Sequence, residues 1–535
     1  MQGKNPILSN KAIVCLLVLL LLVFSIYMLL KPLVLSVDSA YGFLAYQGSR
    51  LSHQFNVIQE IATQDIRQVN RIFISWWSPG QWLYPGFLNA QFGIRLGVGA
   101  IGITLFSMIL GMVGYYRVFI YFKFSAMISC WSLLVIFASS TFYYSFIIYQ
   151  GGEVLEFAVF PWFALYVMSM SRVSLASILG IGLFFLICFV AKTTMIIYCT
   201  LVMIAKIGVM ARRRSGNKFQ LQPVMALLIL LPVLLTVLIW HFYLSVGPRP
   251  SLINEFQFPI EGFFVSVTSP LCSILSIQEW TGRISRTLSS SFDGRISVLF
   301  ISVFFYGVLI ICLFLTGRLI VRNKAISPSY KALVYVLYVG LLAFFLFAYC
   351  FDARIDYSSR HFKLLGYLFI PGLFTALESR IAQRVLQGIV LLFCLASIVD
   401  IVYLKEKWTH DRYVSVQYFY RNYEPFAELD GLDEKSYQNL LKFDRPPISK
   451  NEIIFVESTG DVGIDLHQLC IFQRPEDSIR EKIYLHSGPD LIVCISKKTL
   501  MREKDILVYK FPDYNAFKKI AETENYLFFL GKGNP

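Results

Sequence analysis

Apolar runs of membrane-spanning length recur along this chain, and they decide its class before any motif is considered. They cover about 12–31, 94–115, 125–147, 154–171, 174–191, 194–210, 223–244, 296–316, 332–351, 362–378 and 384–403. Each approaches the roughly 20 residues that a helix needs to cross a hydrocarbon layer. A soluble domain carries about 25% charged residues, whereas this chain carries 15%, with 56% hydrophobic residues. The expected fold is a polytopic α-helical membrane protein with about 11 transmembrane helices. The first run, Ile13 to Leu30, is long for a signal-peptide core and no small-residue cleavage pattern follows it, so it reads as a retained anchor.

The basic residues set the expected orientation, because Lys and Arg concentrate in cytoplasmic loops. Lys4 and Lys11 place the N-terminus inside, and alternation puts Arg117, Lys123, Arg172, Arg212 to Arg214, Lys218, Arg318, Arg322, Lys324, Lys331, Arg380 and Arg384 on the same side. The net charge of +14 is thereby accounted for without nucleic acid as a partner. The expected location is the cell inner (plasma) membrane, with a cytoplasmic N-terminus.

Two domains are expected: residues 1–403 in the membrane, with long outer loops at 32–93 and 245–295, and residues 404–535 as a small extracytoplasmic α/β domain. In the first loop, Ser39 to Ser52 and Asn56 to Phe73 read as amphipathic helices; the second reads as a partly ordered lid. In the tail, "EIIFVES", "DLIVCIS" and "YLFFLG" read as strands, and "GDVGIDLHQLC" and "YNAFKKIAETE" as helices. The Gly460 to Gly463 turn lacks a complete phosphate-loop pattern. Most cysteines sit in apolar runs as small hydrophobes, while Cys470 and Cys494 could pair if the tail is extracytoplasmic.

Several residues near the outer boundary carry candidate chemistry. Asp38 follows the first span, where a carboxylate either caps a helix or faces a lipid-borne substrate. "SWWSPGQWLYPGFL" places Trp76, Trp77 and Gln81 among prolines and glycines that interrupt a continuous helix. That stretch either anchors the loop at the headgroups or lines a cavity for sugar and isoprenoid. Glu153, with Glu156 one turn deeper, is either paired with a basic residue of another span or part of a site. Lys192 occupies a very short turn on the same side, and Arg354, Arg360, His361 and Lys363 cluster before a late span. Such positive density suits an anion, either a lipid headgroup or a substrate phosphate, and the planar fork of Arg presents two parallel donors to it.

Together these pieces resemble the GT-C superfamily of integral-membrane glycosyltransferases, which includes protein O-mannosyltransferases and aminoarabinose transferases of lipid A. The likeness lies in the inside N-terminus, Asp38 directly after the first span, the long first outer loop, and the "SSRHF" stretch before a late span. Many members carry Asp-Glu where this chain has Asp38-Ser39. The resemblance implies a polyprenyl-phosphate sugar as donor and a glycan, lipid or protein as acceptor, with membrane lipids around both. It implies that Asp38 deprotonates the acceptor hydroxyl, and that Arg360, with Lys192 as a second candidate, stabilises the departing phosphate. Glu153, His361, Trp76, Trp77 and Gln81 are the further substrate-binding candidates. No cofactor is expected; a divalent metal is compatible but not indicated, since the outer loops show no compact carboxylate cluster. Other classes use the same features: an outer-face glycan polymerase or ligase with a diphosphate-linked lipid, a transporter or flippase, or a non-catalytic assembly protein.

Overall fold

The structure is a computed structural model that describes residues 10–30, 34–35, 37–61, 68–75, 77–171, 174–214, 223–247, 256–275, 294–351, 355–377, 380–410, 420–421, 432, 434–444, 452–457, 466, 470–472, 482–483 and 490–533. In chain order these form α1 (Asn10–Leu30), β1 (Val34–Leu35), α2 (Val37–Ser52), β2 (Val57–Ile61), β3 (Val69–Phe73), α3 (Gly80–Phe92) and α4 (Leu96–Tyr121). Then come α5 (Ala126–Ala138), α6 (Ser140–Ile147), β4 (Ile148–Tyr149), α7 (Gly151–Ser169), α8 (Leu175–Ala191), α9 (Met195–Arg214), α10 (Pro223–Ile239) and α11 (Ile260–Leu275). The bundle continues with α12 (Gly294–Arg322), α13 (Pro328–Cys350), a 3-10 turn (Ser359–Phe362), α14 (Lys363–Ala376) and α15 (Arg380–His410). Last are β5 (Tyr420–Arg421), α16 (Glu434–Phe443), β6 (Glu452–Val456), β7 (Cys470–Phe472), β8 (Asp490–Ser496), α17 (Lys497–Arg502), α18 (Ile506–Lys510), β9 (Tyr514–Glu522) and β10 (Tyr526–Gly533).

The chain is a mostly helical membrane protein. Among the described residues six helices are each long and apolar enough to cross a membrane, and α5 with α6 makes a seventh candidate, bent by 55°. Four shorter apolar helices accompany them, and every apolar run read from the sequence falls on helix. Local signals start several of these: Ser125 and Ser327 cap α5 and α13 by accepting from Ile128 N and Tyr330 N, with Pro328 opening α13. Small residues allow close packing where α4 meets α7: a Cβ on Gly111 would stand 2.3 Å from the Phe157 ring, and one on Gly114 would stand 2.7 Å from Pro161. Trp162 seals that contact by donating its indole N–H to Leu110 O at 3.0 Å.

Three parts differ from expectation. The Asn56 to Phe73 segment contains an antiparallel hairpin, with Val57 opposite Phe73 and Ile61 opposite Val69; its Val and Ile residues favour a pleated surface over a helix. The Trp-rich stretch enters α3 at Gly80, with Pro79 as its cap and Pro85 inside. Pro79 therefore precedes the helix without loss of an intrahelical bond, and Pro85 removes one interior donor without ending the helix, which runs on to Phe92. In the expected second-loop lid, Ile260–Leu275 is instead a helix of the bundle core, with Val265, Leu271 and Cys272 buried. Its Ser273 carbonyl accepts from Thr141 Oγ1 at 2.9 Å and Ser139 Oγ at 3.1 Å, where α5 bends into α6. The remainder of that loop, with Trp280 and Ser289 to Ser291, lies outside the described residues.

Beyond the bundle, a five-stranded mixed sheet runs β7-β6-β8-β10-β9. Both faces of β8 are covered: Leu491, Val493 and Ile495 join one core, Ile492 and Cys494 the other. That explains its unbroken apolar sequence. "YNAFKKIAETE", expected as a helix, supplies the edge strand β9, whose pairing shifts register between Phe528 and Phe529 of β10. The shift breaks the period-two pattern and leaves an apolar spacing that mimics a helix. Cys470 and Cys494 sit on β7 and β8 with β6 between them. Two strand spacings of about 4.8 Å each exceed the roughly 7 Å limit for a disulfide, so the pair is excluded. The Gly460 to Gly463 turn and the expected 460–470 helix lie outside the described residues, apart from Leu466 and Cys470. The Leu466 carbonyl accepts from Gln47 Nε2 of α2 at 2.8 Å.

Candidate active site

Glu153 and Glu156 stand three residues apart in the opening turns of α7, hence on one face of that helix. Onto this face come Lys192, from the turn between α8 and α9, and Lys363, the first residue of α14. Lys192 Nζ lies 2.6 Å from Glu153 and 3.2 Å from Glu156; Lys363 Nζ pairs with Glu153 and lies 3.0 Å from Glu156. Two carboxylates and two ammonium groups thus form a buried, formally neutral square that ties helix ends together. Buried charge is tolerated when each group meets opposite charge. Burial alone would depress the Lys192 ammonium, but Glu153 and Glu156 outweigh it and hold it above the ordinary lysine range.

Immediately before Lys363, the 3-10 turn carries Arg360 and His361. Asp356 Oδ1 accepts from Arg360 Nη2 at 3.2 Å and meets His361 Nε2 at 2.7 Å. The imidazole stacks on Phe345, with ring centroids 5.4 Å apart, and Tyr198 OH donates to the His361 carbonyl at 2.5 Å. Although burial acts to raise it, the bonds and charges of His361 and Arg360 hold the Asp356 carboxyl well below the usual range. Burial pushes His361 below the ordinary histidine value, Asp356 pulls against this, and Arg360 and Lys192 add to the depression. Arg360, with a side chain 31% exposed, is the most accessible cation of the group, against 13% for Lys192 and 2% for Lys363.

Asp38 reaches the same end of the bundle by its backbone. The helix α2 starts at Val37, so Asp38 lies in its first turn, not at its cap. Strand β1 just before it pairs in parallel with β4, with Leu35 opposite Tyr149. The next residue, Ser39, donates to Tyr149 O at 2.7 Å and accepts from Gly151 N at 3.2 Å. Asp38 is therefore anchored beside the strand and helix start that lead into Glu153.

Gln81 belongs to the same junction. It is buried, its carbonyl accepts from Tyr149 OH at 2.6 Å, and its side-chain oxygen lies 3.4 Å from Ser39 Oγ. Trp77 stacks on Tyr41 at 4.8 Å, Trp82 donates to Asn56 Oδ1 at 3.0 Å, and Trp76 lies outside the described residues. The junction leaves no room at Gly151, where a Cβ would stand 2.3 Å from Gln81 Cβ and 2.9 Å from its Cα. At Gly152 the nearest atom would be 3.5 Å away. Gly151→Ala is accordingly expected to destabilise the protein by about 1–3 kcal/mol through overpacking. Gly152→Ala should stay near wild type, with thermal unfolding of nanodisc-embedded protein separating the two.

With this geometry described, the chain can be set beside known proteins. No protein-family model and no curated protein matches it. It is similar to two solved structures of ArnT from Cupriavidus metallidurans, one bound to undecaprenyl phosphate (TM-score 0.46, 11% identity) and one in the apo state (TM-score 0.44, 13% identity), each over 97% of both chains. It is also similar to the mycobacterial arabinofuranosyltransferase AftD, with a TM-score of 0.47 and 10% identity, over 99% of this chain and 40% of that one.

Of the candidates read from sequence, the structure joins Glu153 and Lys192 directly and brings Arg360 and His361 to Asp356. It links Asp38 to Gln81 through Ser39 and Tyr149, and leaves Trp77 at the edge of α2. The sequence does not single out Asp356, Ser39 or Tyr149. In it Lys363 reads as part of a basic cluster, 210 positions from its partner Glu153. The available signal was charge matching: two glutamates at the start of an apolar span require partners, and Lys192 supplies only one positive charge. Among the described residues no three His, Cys, Asp or Glu side chains gather as metal ligands would.

Proposed function

We propose that this protein is a membrane glycosyltransferase that moves a hexose or pentose from a polyprenyl-phosphate donor to a hydroxyl of a glycan, lipid or protein at the outer face of the inner (plasma) membrane. The observation that carries this reading is the junction at Tyr149–Gly151, which sets the turn bearing Asp38 against the helix bearing Glu153 and its cations. A carboxylate and a field of basic groups at one end of the bundle match the needs of displacement at an anomeric carbon. The acceptor oxygen bonds to C1 while Asp38 takes its proton. The bond from C1 to the phosphate oxygen breaks, its electron pair leaves with polyprenyl phosphate, and configuration inverts.

The negative charge growing on the phosphate calls for a cation that can reach it. Lys192 and Lys363 are buried against Glu153 and Glu156, whereas Arg360, held by Asp356, is the more exposed cation, so Arg360 takes the direct phosphate role and Lys192 acts through its field. In this reading residues 1–403 hold the chemistry, and 404–535 form a domain on the donor side. Arg360→Ala is expected to lower kcat/KM by about 10²–10³, the usual effect of losing one transition-state donor. Arg360→Lys should recover little, because a point charge does not replace a planar fork. The test offers purified protein in liposomes a panel of monophosphate- and diphosphate-linked sugars. Turnover of diphosphate donors alone would replace this reading with a glycan polymerase or ligase.

A further inference from the structure

The histidine in this group gives one hydrogen bond, to Asp356, and its other ring nitrogen is arranged to receive one. His361 Nε2 faces the Asp356 carboxylate at 2.7 Å. An ionised carboxylate only accepts, so the neutral ring keeps its proton on Nε2 and leaves a bare lone pair on Nδ1. That Nδ1 is buried and meets no hydrogen-bonding atom among the described residues. The side chain is 10% exposed, its ring plane is set by stacking on Phe345, and its backbone is held by Tyr198. Phosphate oxygens cannot donate to such an atom, whereas a sugar hydroxyl can.

We infer that His361 Nδ1 accepts a hydrogen bond from a hydroxyl of the substrate sugar, and that Asp356 is the positioning residue that fixes the tautomer. This rests on the transferase reading for the identity of the ligand and on geometry alone for the direction of the bond. It divides the turn into two functions: Arg360 for the anion and His361 for a hydroxyl. The charged groups around the ring are Asp356 and Arg360 on its own segment and Lys192 from the α8–α9 turn. Below the ordinary histidine range, near pH 6.5, protonation of Nδ1 would turn the acceptor into a donor and abolish the preference for the hydroxyl.

Full-length protein with ¹⁵N-labelled histidine, in nanodiscs, tests the direction of the bond without requiring turnover. At pH 7 the His361 resonance, assigned by its loss in His361→Gln, should report a neutral ring with Nδ1 unprotonated, and Asp356→Ala should mix the tautomers. A short-chain polyprenyl-phosphate sugar should shift the Nδ1 signal, and polyprenyl phosphate alone should not. In turnover, wild type should prefer the sugar over one of its monodeoxy analogues by about tenfold, the scale of one hydrogen bond. His361→Gln, which keeps an amide for Asp356 but has no Nδ1, should lose that preference. A protonated Nδ1 at pH 7, a shift produced by lipid phosphate alone, or no shift from any sugar in the panel would overturn the inference. A sugar-induced Nδ1 shift without transfer would instead retain it and reject the transferase reading.

Discussion

Lys363→Met is expected to destabilise the protein by about 3–5 kcal/mol, more than any substitution on its surface. Lys363 is 2% exposed and pairs with both Glu153 and Glu156, while Lys192 pairs with the same two carboxylates. Methionine leaves two buried carboxylates facing one ammonium group. Removing one partner from a buried network is costly because the remaining charge is desolvated and uncompensated. Glu156→Gln in the same chain restores formal neutrality, so the double variant should recover a large part of the loss. Such non-additivity is expected of groups in one network. Unfolding of the four proteins of this cycle in nanodiscs measures the coupling. Full stability in Lys363→Met would mean that the square contributes nothing to the bundle.

The second large effect is on chemistry. Asp38→Asn should lower transfer by about 10²–10⁴, the range for loss of a positioned general base, while leaving thermal stability unchanged. An amide keeps the size of the side chain but takes no proton from the acceptor hydroxyl. Ser39 and the β1–β4 pairing hold the backbone of this turn, and asparagine matches aspartate in size, so the variant is expected to fold. A matched loss of stability and activity would give Asp38 a structural role instead.

The parts legible in the sequence are those whose pattern is set by the element itself. A membrane-spanning helix must be apolar along its length, and "DLIVCIS" must be apolar because both faces of β8 are covered. The misread parts depend on distant contacts or on a break in period. Nothing local distinguishes the Val57–Phe73 hairpin from an amphipathic helix except its β-branched residues, and the register shift in the β9–β10 pairing disguises β9. The serines and Pro270 of α11 lower its hydropathy below that of a span, yet Ser273 is consumed in the bond network at the α5–α6 bend. At the site, the residue types near the boundary were readable and their pairing was not. Lys192 reads as a phosphate ligand by position, whereas the glutamates that occupy it come from α7. Only the assembled bundle places Ser39 beside Gly151, whereas Asp356 meets His361 from five positions away on the same segment.

The most direct measurement is the release of polyprenyl phosphate, mole for mole with sugar transferred, by purified protein in liposomes offered the monophosphate donor panel. Stoichiometric release by wild type, with inverted anomeric configuration and its loss in folded Asp38→Asn, is the result predicted here. Release at an equal rate by Asp38→Asn, or no donor consumed by wild type across a panel that includes both hexose and pentose donors, would contradict it.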